Sequence, residues 1–299
     1  MVKGFRMPLN FEPVGLDKQD KYLKYFSQCP QKASDYSIVN LWGWADVYGL
    51  YWAWSEQMVW VKQTIPKEVF WAPVAPWPEI DWNLCFDKYF QSPAVFLRVP
   101  EDLMMIWKES IGNRIFAEES RDHWDYLYDV NELIRLSGRR FHKKKNLLNQ
   151  FKKKYDFEFV PLDMKIIDMA MAMQEDWCTW RDCEASDVLA AENLVILRVL
   201  DSWKKLAGLT GGAILVDGQM VAYTIAEPLS KDVMVIHFEK GNTDYKGAYQ
   251  AVNQMFLEHF GQNFKIANRE QDLGDPGLRK AKLSYIPSDF LKKYRVILK

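Results

Sequence analysis

The chain has few cysteines, few histidines and no long apolar run. Its four cysteines are Cys29, Cys85, Cys178 and Cys183, and no two are spaced Cys-x-x-Cys. Cys178 and Cys183 fall in a stretch with helical patterning and have no histidine nearby. A zinc knuckle is not expected from that spacing, nor a disulfide framework in a chain of 299 residues. Residues 1–6 contain no apolar core of a leader, so no secretory signal is expected. The longest apolar stretch, 47–54, is far shorter than a membrane span. Neither sign of charge dominates: 39 basic side chains face 40 acidic ones, a net charge of −1. That balance excludes a globally basic nucleic-acid coat and an acidic tail, but not a local patch. There is no nucleophile elbow, Walker loop or dinucleotide fingerprint. Together these absences predict a reduced, soluble, cytoplasmic protein with no covalently bound cofactor.

What is present is a rich store of large side chains. Apolar residues make up 48% of the chain and aromatic residues 15%, with 13 tryptophans. That composition is globular and supplies enough bulk for two cores. The length suits two domains, expected at 1–155 and 156–299.

The element pattern is α/β. Asp17 and Ser37 are expected N-caps of two early helices. Residues 50–63 are two aromatic, β-branched runs around the polar turn Ser55-Glu56-Gln57, a hairpin signal. Further strands are expected at 69–75 and 93–99, around a helix at 84–90. The second half repeats the plan. Helices are expected at 165–181 and 187–206, and a hairpin on the Asp217-Gly218 turn. A long strand at 233–239, a polar loop, a helix at 249–260 and strands at 264–267 and 296–298 complete it. Two turns of one architecture point to an internal duplication.

Between the halves lies a polarised segment. Glu118, Glu119, Asp122, Asp125, Asp129 and Glu132 make its front acidic. Residues 139–154 hold eight Lys and Arg, from Arg139 to Lys154, and no acid. This run has two readings: a grip on the backbone of a tRNA or a nucleotide, or a solvated helix face balanced by the acids before it.

The loop after the strand at 233–239 is the first candidate site. A helix N-terminus offers unpaired N–H groups and the positive end of a dipole. Gly247 and Ala248 are small enough for a pyrophosphate to approach, and Lys246 adds charge. Asn242 and Thr243 complete this donor loop, although Asp244 would repel an anion. The alternative is an ordinary strand–helix turn with Thr243 or Asp244 as N-cap.

Hairpin, long strand, small-residue loop, helix and strand resemble the acyl-CoA N-acyltransferase (GNAT) core. The stretch 268–287, which reads Asn-Arg-Glu-Gln-Asp-Leu-Gly-Asp-Pro-Gly-Leu-Arg-Lys-Ala-Lys-Leu-Ser-Tyr-Ile-Pro, is more specific. With Asp125-Tyr126-Leu127-Tyr128 and the words from Leu136 to Asn146, it resembles a bacterial family grouped with the C-terminal domain of phosphatidylglycerol lysyltransferase. The resemblance covers most of the chain. It implies two tandem GNAT-like domains with mixed sheets flanked by helices, as in aminoacyl-tRNA-dependent transferases. The chain carries no membrane-spanning half, which argues against a lipid substrate.

Stretch 268–287 also has a reading of its own. It starts at the carboxyl end of a strand, where α/β ligand sites gather. Its cations, with turns at Gly274 and Pro276-Gly277, suit a phosphate or carboxylate; the alternative is a solvated crossing loop. The substrate-binding candidates are Asn268, Arg269, Asp272, Arg279 and Lys282.

Acyl transfer to an amine needs a base for the amine's proton and an acid for the leaving group. Glu227 and Glu239 are the candidate bases, and Tyr223 and Tyr285 the candidate acids. His237, beside Phe238 in an apolar strand, reads as a packed or hydrogen-bonded histidine. The expected activity is transfer of an acyl or aminoacyl group to an amine, from acyl-CoA or aminoacyl-tRNA. The rival expectation is a non-catalytic GNAT-like protein that binds a phosphorylated metabolite or nucleic acid.

Overall fold

A computed structural model of the chain describes residues 8–90, 93–183 and 186–299. The N-terminal residues on which the leader reading rests lie outside them. The described chain forms two compact units, each built on a seven-stranded mixed sheet.

The first unit holds strands β1 (Glu12–Pro13), β2 (Leu50–Trp54), β3 (Val59–Gln63), β4 (Val69–Trp71), β5 (Ala94–Pro100) and β6 (Ile115–Glu119). Helices α1 (Gln19–Ser27), α2 (Ile38–Gly43), α3 (Ala45–Tyr48), α4 (Trp82–Tyr89) and α5 (Glu101–Ile111) cover it. Ser37 caps α2 as expected, accepting the Asn40 N–H at 3.1 Å. The expected hairpin is β2–β3, and β4 runs parallel to β5 with α4 between them. Aromatic bulk fills this core: Trp107 lies 5.1 Å, centroid to centroid, from both Phe86 and Phe96.

The second unit holds β7 (Asp125–Asp129), α6 (Val130–Arg135), α7 (His142–Lys154), β8 (Phe157–Pro161), α8 (Ile167–Trp180) and α9 (Asp187–Asp201). They are followed by β9 (Thr210–Val216), β10 (Gln219–Pro228), β11 (Val233–Gly241), α10 (Ala248–Phe256), β12 (Ile266–Asn268), α11 (Pro276–Leu283) and β13 (Asp289–Leu291). The last strand, β14 (Lys293–Leu298), returns to the first sheet.

The two sheets share one plan. Their orders are β1-β2-β3-β4-β5-β14-β6 and, read from its other edge, β8-β9-β10-β11-β12-β7-β13. In each, three antiparallel strands precede a parallel pair, β4–β5 in one and β11–β12 in the other. Each parallel pair then meets an inserted antiparallel strand taken from the other half of the sequence: β14 beside β5, β7 beside β12. The duplicated, GNAT-like α/β architecture is therefore present, with one inserted strand of each sheet drawn from the other half of the sequence.

This exchange corrects the expected boundary at 155/156. The units are 1–125 with 271–274 and 291–299, and 126–270 with 275–290. The basic helix α7 belongs to the second unit, where Leu148 and Phe151 join a core with Ala251 and Val252 of α10. Residues 296–298, expected to close the second sheet, pair with β5 and β6 in the first. The acidic front of the middle segment conceals two strands, β6 and β7, that alternation did not reveal.

A second correction concerns cysteine. Cys178 and Cys183 form a disulfide, with Cα atoms 5.1 Å apart. The expected helix to 181 instead ends at Trp180, and Asp182 turns back at φ +51°. That turn brings Cys183 within bonding range. Cys29 and Cys85 are free and buried.

Candidate active site

The parallel pair β11–β12 sets the site. Its register runs Val233–Ile266, Met234–Ala267 and Val235–Asn268, and stops there. β11 continues six residues further, to Gly241. Along its other edge the register with β10 slips, from Ile225–Phe238 to Ala226–Ile236, leaving His237 as a bulge. A bulge adds twist and re-aims side chains. The carboxyl half of β11 thus parts from the chain leaving β12, and residues 269 and 270 bridge the opening.

On the α10 face the bridge is Arg269. Its Nη2 donates to Glu239 Oε1 at 2.9 Å, and Asn253 Nδ2 of α10 donates to Glu239 Oε2 at 2.9 Å. The guanidinium stacks over Tyr285, 4.7 Å from its centroid, and lies 5.6 Å from that of Tyr128. Burial opposes the Arg269 charge, but Glu239 beside it holds the pKa above its ordinary value. Arg269 Nη1 is buried without a hydrogen-bond acceptor. Gln250 Nε2 donates to the Tyr285 hydroxyl oxygen at 3.3 Å. Burial pushes the Tyr285 phenol up to about 12, so it stays protonated. Lys144 of α7 completes the cluster, its Nζ 4.0 Å from the Tyr285 centroid. Burial, then the Arg269 charge, pull the Lys144 pKa down to about 8.

On the opposite face the bridge is Glu270. His237 Nδ1 lies 2.8 Å from Glu270 Oε1, and Nε2 lies 3.0 Å from Glu227 Oε1. A ring facing a carboxylate through each nitrogen donates twice, so it is an imidazolium. Burial alone would lower its pKa; the hydrogen bonds to Glu227 and Glu270 prevail and raise it to about 9. Lys282 holds both bridging residues, donating from Nζ to the carbonyls of Arg269 and Glu270.

The sequence candidates divide accordingly. Glu239, Tyr285 and Arg269 come together. Tyr223 does not join them: it lies on the other face of β10, is fully buried, and donates to Gln174 Oε1 of α8. Burial raises its pKa well above the ordinary phenol value, which makes it a poor acid. Glu227 is occupied by His237. Asn268 is buried and accepts the Glu270 N–H at 2.8 Å, shaping the strand exit. Asp272 falls in the first unit, where it accepts the Gly274 N–H and faces Arg121. Lys282 serves backbone carbonyls, and Arg279, one turn before it on α11, is half-buried. Lys144 was hidden in the basic run; only helical spacing from Leu148 and Phe151 marks it as inward-leaning.

The expected donor loop is closed on itself. The Asn242 N–H donates to Val221 O, the Tyr245 N–H to Asn242 O, and the Ala248 N–H to Tyr245 O. The Asp244 N–H goes to the Asn242 side chain at 2.9 Å. Gly247 takes a left-handed conformation, φ +95°, and its open side is filled by Leu147 and Phe151 of α7. Its small size serves helix packing, and Ala248 is likewise buried. Thr243 and Lys246 are exposed.

Residues 26–297 match the family described as phosphatidylglycerol lysyltransferase, C-terminal. The chain belongs to that family. A conserved protein of unknown function from Bacteroides thetaiotaomicron has a similar crystal structure, with TM-score 0.86 and 27% identity, covering 97% of this chain and 100% of that one. The C-terminal domain of a putative lysylphosphatidylglycerol synthetase from Agrobacterium fabrum shares the fold, with TM-score 0.65, 12% identity and coverage of 95% and 92%. L-PGS from Bacillus licheniformis does so with TM-score 0.61, 12% identity and coverage of 94% and 91%. An uncharacterized protein of Mycoplasmoides gallisepticum is 25% identical over 206 residues, 68% of this chain. The chain spans 65% of that curated relative's length. Family and fold are consistent with an aminoacyl- or acyltransferase of the phosphatidylglycerol lysyltransferase C-terminal type. Among the described residues no helix is long and apolar enough to cross a membrane.

Proposed function

We propose that this member of the phosphatidylglycerol lysyltransferase C-terminal family transfers an aminoacyl group from aminoacyl-tRNA to an acceptor amine, in the opening beyond β11 and β12. The observation that carries the choice of donor is the packing of α7 on Gly247. An acyl-CoA donor needs an open loop with free amides for its pyrophosphate. Here four of the loop amides are engaged within the protein and the glycine's open face is filled.

The site residues support direct attack. The acceptor nitrogen forms the new C–N bond as the ester C–O bond to the ribose breaks, and the amine's proton ends on the released ribose oxygen. Glu239, paired but at the edge of the opening, is the group we assign to take up that proton. Arg269 and Tyr285 lie beside Glu239 and serve to hold the donor there, Arg269 paired with Glu239 and stacked on the Tyr285 ring. His237 is excluded as a base because both its nitrogens already donate to carboxylates. The basic run 139–154 is assigned to the tRNA backbone, with Lys143 and Lys145 outward and exposed.

The test is equilibrium binding of aminoacyl-tRNA, deacylated tRNA and acetyl-CoA to the purified chain at two salt concentrations. Saturable, salt-sensitive binding of the charged tRNA with none of acetyl-CoA is the expected result. Saturable acetyl-CoA binding, with free thiol released in the presence of an amine panel, would overturn the choice of donor.

A further inference from the structure

Lys144 differs from the lysines around it. Lys143 and Lys145 are exposed, whereas Lys144 is half-buried and its ammonium lies on the Tyr285 ring. It makes no ion pair among the described residues. The Arg269 guanidinium lies on the same ring, with one nitrogen buried and unpaired.

Two cations sharing one ring repel each other, and among the described residues the only carboxylate bonded within the cluster is Glu239. Both of its oxygens are taken, one by Arg269 and one by Asn253. The cluster therefore carries one positive charge in excess, an unsatisfied charged donor and a phenol. Buried donors of that kind are costly unless a ligand meets them.

We infer that Lys144, Arg269 and Tyr285 form a subsite for one singly charged oxyanion, the phosphodiester that precedes the terminal nucleoside of the donor. The single excess charge matches a phosphodiester and not a pyrophosphate, which carries at least two. The guanidinium suits paired contacts to two oxygens, and the ammonium acts as a point charge. The assignment to the donor rests on the aminoacyl-tRNA reading above; the oxyanion subsite itself rests on the cluster alone.

Two measurements test it. In the first, the dinucleotide cytidylyl-3′,5′-adenosine and adenosine are titrated into the wild type, Lys144→Met and Lys144→Arg. The dinucleotide is expected to bind about tenfold more tightly than adenosine, the scale of one charge-assisted contact. That advantage should vanish in Lys144→Met, persist in Lys144→Arg, and shrink with salt. In the second, the Lys144 side chain, observed by NMR in selectively ¹³Cε-labelled protein, is titrated with pH in the presence of dimethyl phosphate or acetate. Dimethyl phosphate should raise its pKa. Urea unfolding confirms that each variant is folded.

If both nucleotides bind equally to the wild type, the phosphodiester subsite is wrong and the donor reading stands. Should neither nucleotide bind while dimethyl phosphate still moves Lys144, the subsite stands and the tRNA donor fails. A response to acetate alone would make this a carboxylate site and overturn the proposal.

Discussion

The carbonyl oxygen of Leu147 occupies the space into which a side chain on Gly247 would project. One residue thus fixes the contact between the basic helix and the loop after the central strand. A Gly247→Ala variant has to hold a left-handed backbone, at about 1–2 kcal/mol, and also displace that carbonyl. Its urea midpoint should fall by more than the backbone cost alone. An unchanged midpoint would mean that α7 is not seated on this loop.

His237 gives a pH signature. Its folded pKa, about 9, lies above its ordinary 6.5, so the stability it adds is fully present below pH 6.5. That contribution is lost as pH rises from 6.5 through 9. Imidazole ¹⁵N spectra at pH 7.5 should show a protonated ring, and His237→Gln should flatten the stability profile across this window. A neutral ring at that pH would break the two-carboxylate arrangement.

In the first unit, Lys293 of β14 is fully buried between Asp35 and Asp125, 2.6 Å from Asp125 Oδ1. Arg98 pairs with Asp35 from the other side. Burial works against the Asp35 charge, but Lys293 and Arg98 hold its pKa well below the carboxylate range. Lys293→Met leaves two carboxylates short of a counter-charge and should cost about 3–5 kcal/mol. Because the Asp35 pKa is depressed, its stabilisation is present above pH 4 and fades as the pH falls below it. Thermal unfolding of the wild type and variant at pH 7 and pH 3 reads both effects; equal stability at pH 7 would contradict the network.

Local chemistry explains what could be read in advance. The Asp217-Gly218 turn, the Ser37 cap and the β-branched run of β11 are each determined by neighbours in sequence, and each appears as expected. Glu239, Arg269 and Tyr285 were each candidates by residue type and place in the chain, but nothing in the sequence said that the three meet. Lys144 was not, since its chemistry comes from a ring 141 positions away, at Tyr285. Tyr223 misled for the opposite reason: its strand was right, but pairing with Lys240 puts it on the α8 face, away from Glu239. The domain boundary failed because sheet membership is non-local. Nothing within β14 says that its partners are β5 and β6, some two hundred residues earlier in the chain.

The exchange of β7 and β14 also sets an order of completion during synthesis. The second sheet receives its inserted strand early, since β7 precedes every other strand of that sheet in the chain. The first sheet waits: β14, which lies between β5 and β6, follows every other described strand in the chain. Until then β5 and β6 face a gap, and Asp35 and Asp125 lack their lysine. The unit whose strands are made first is therefore the one finished last.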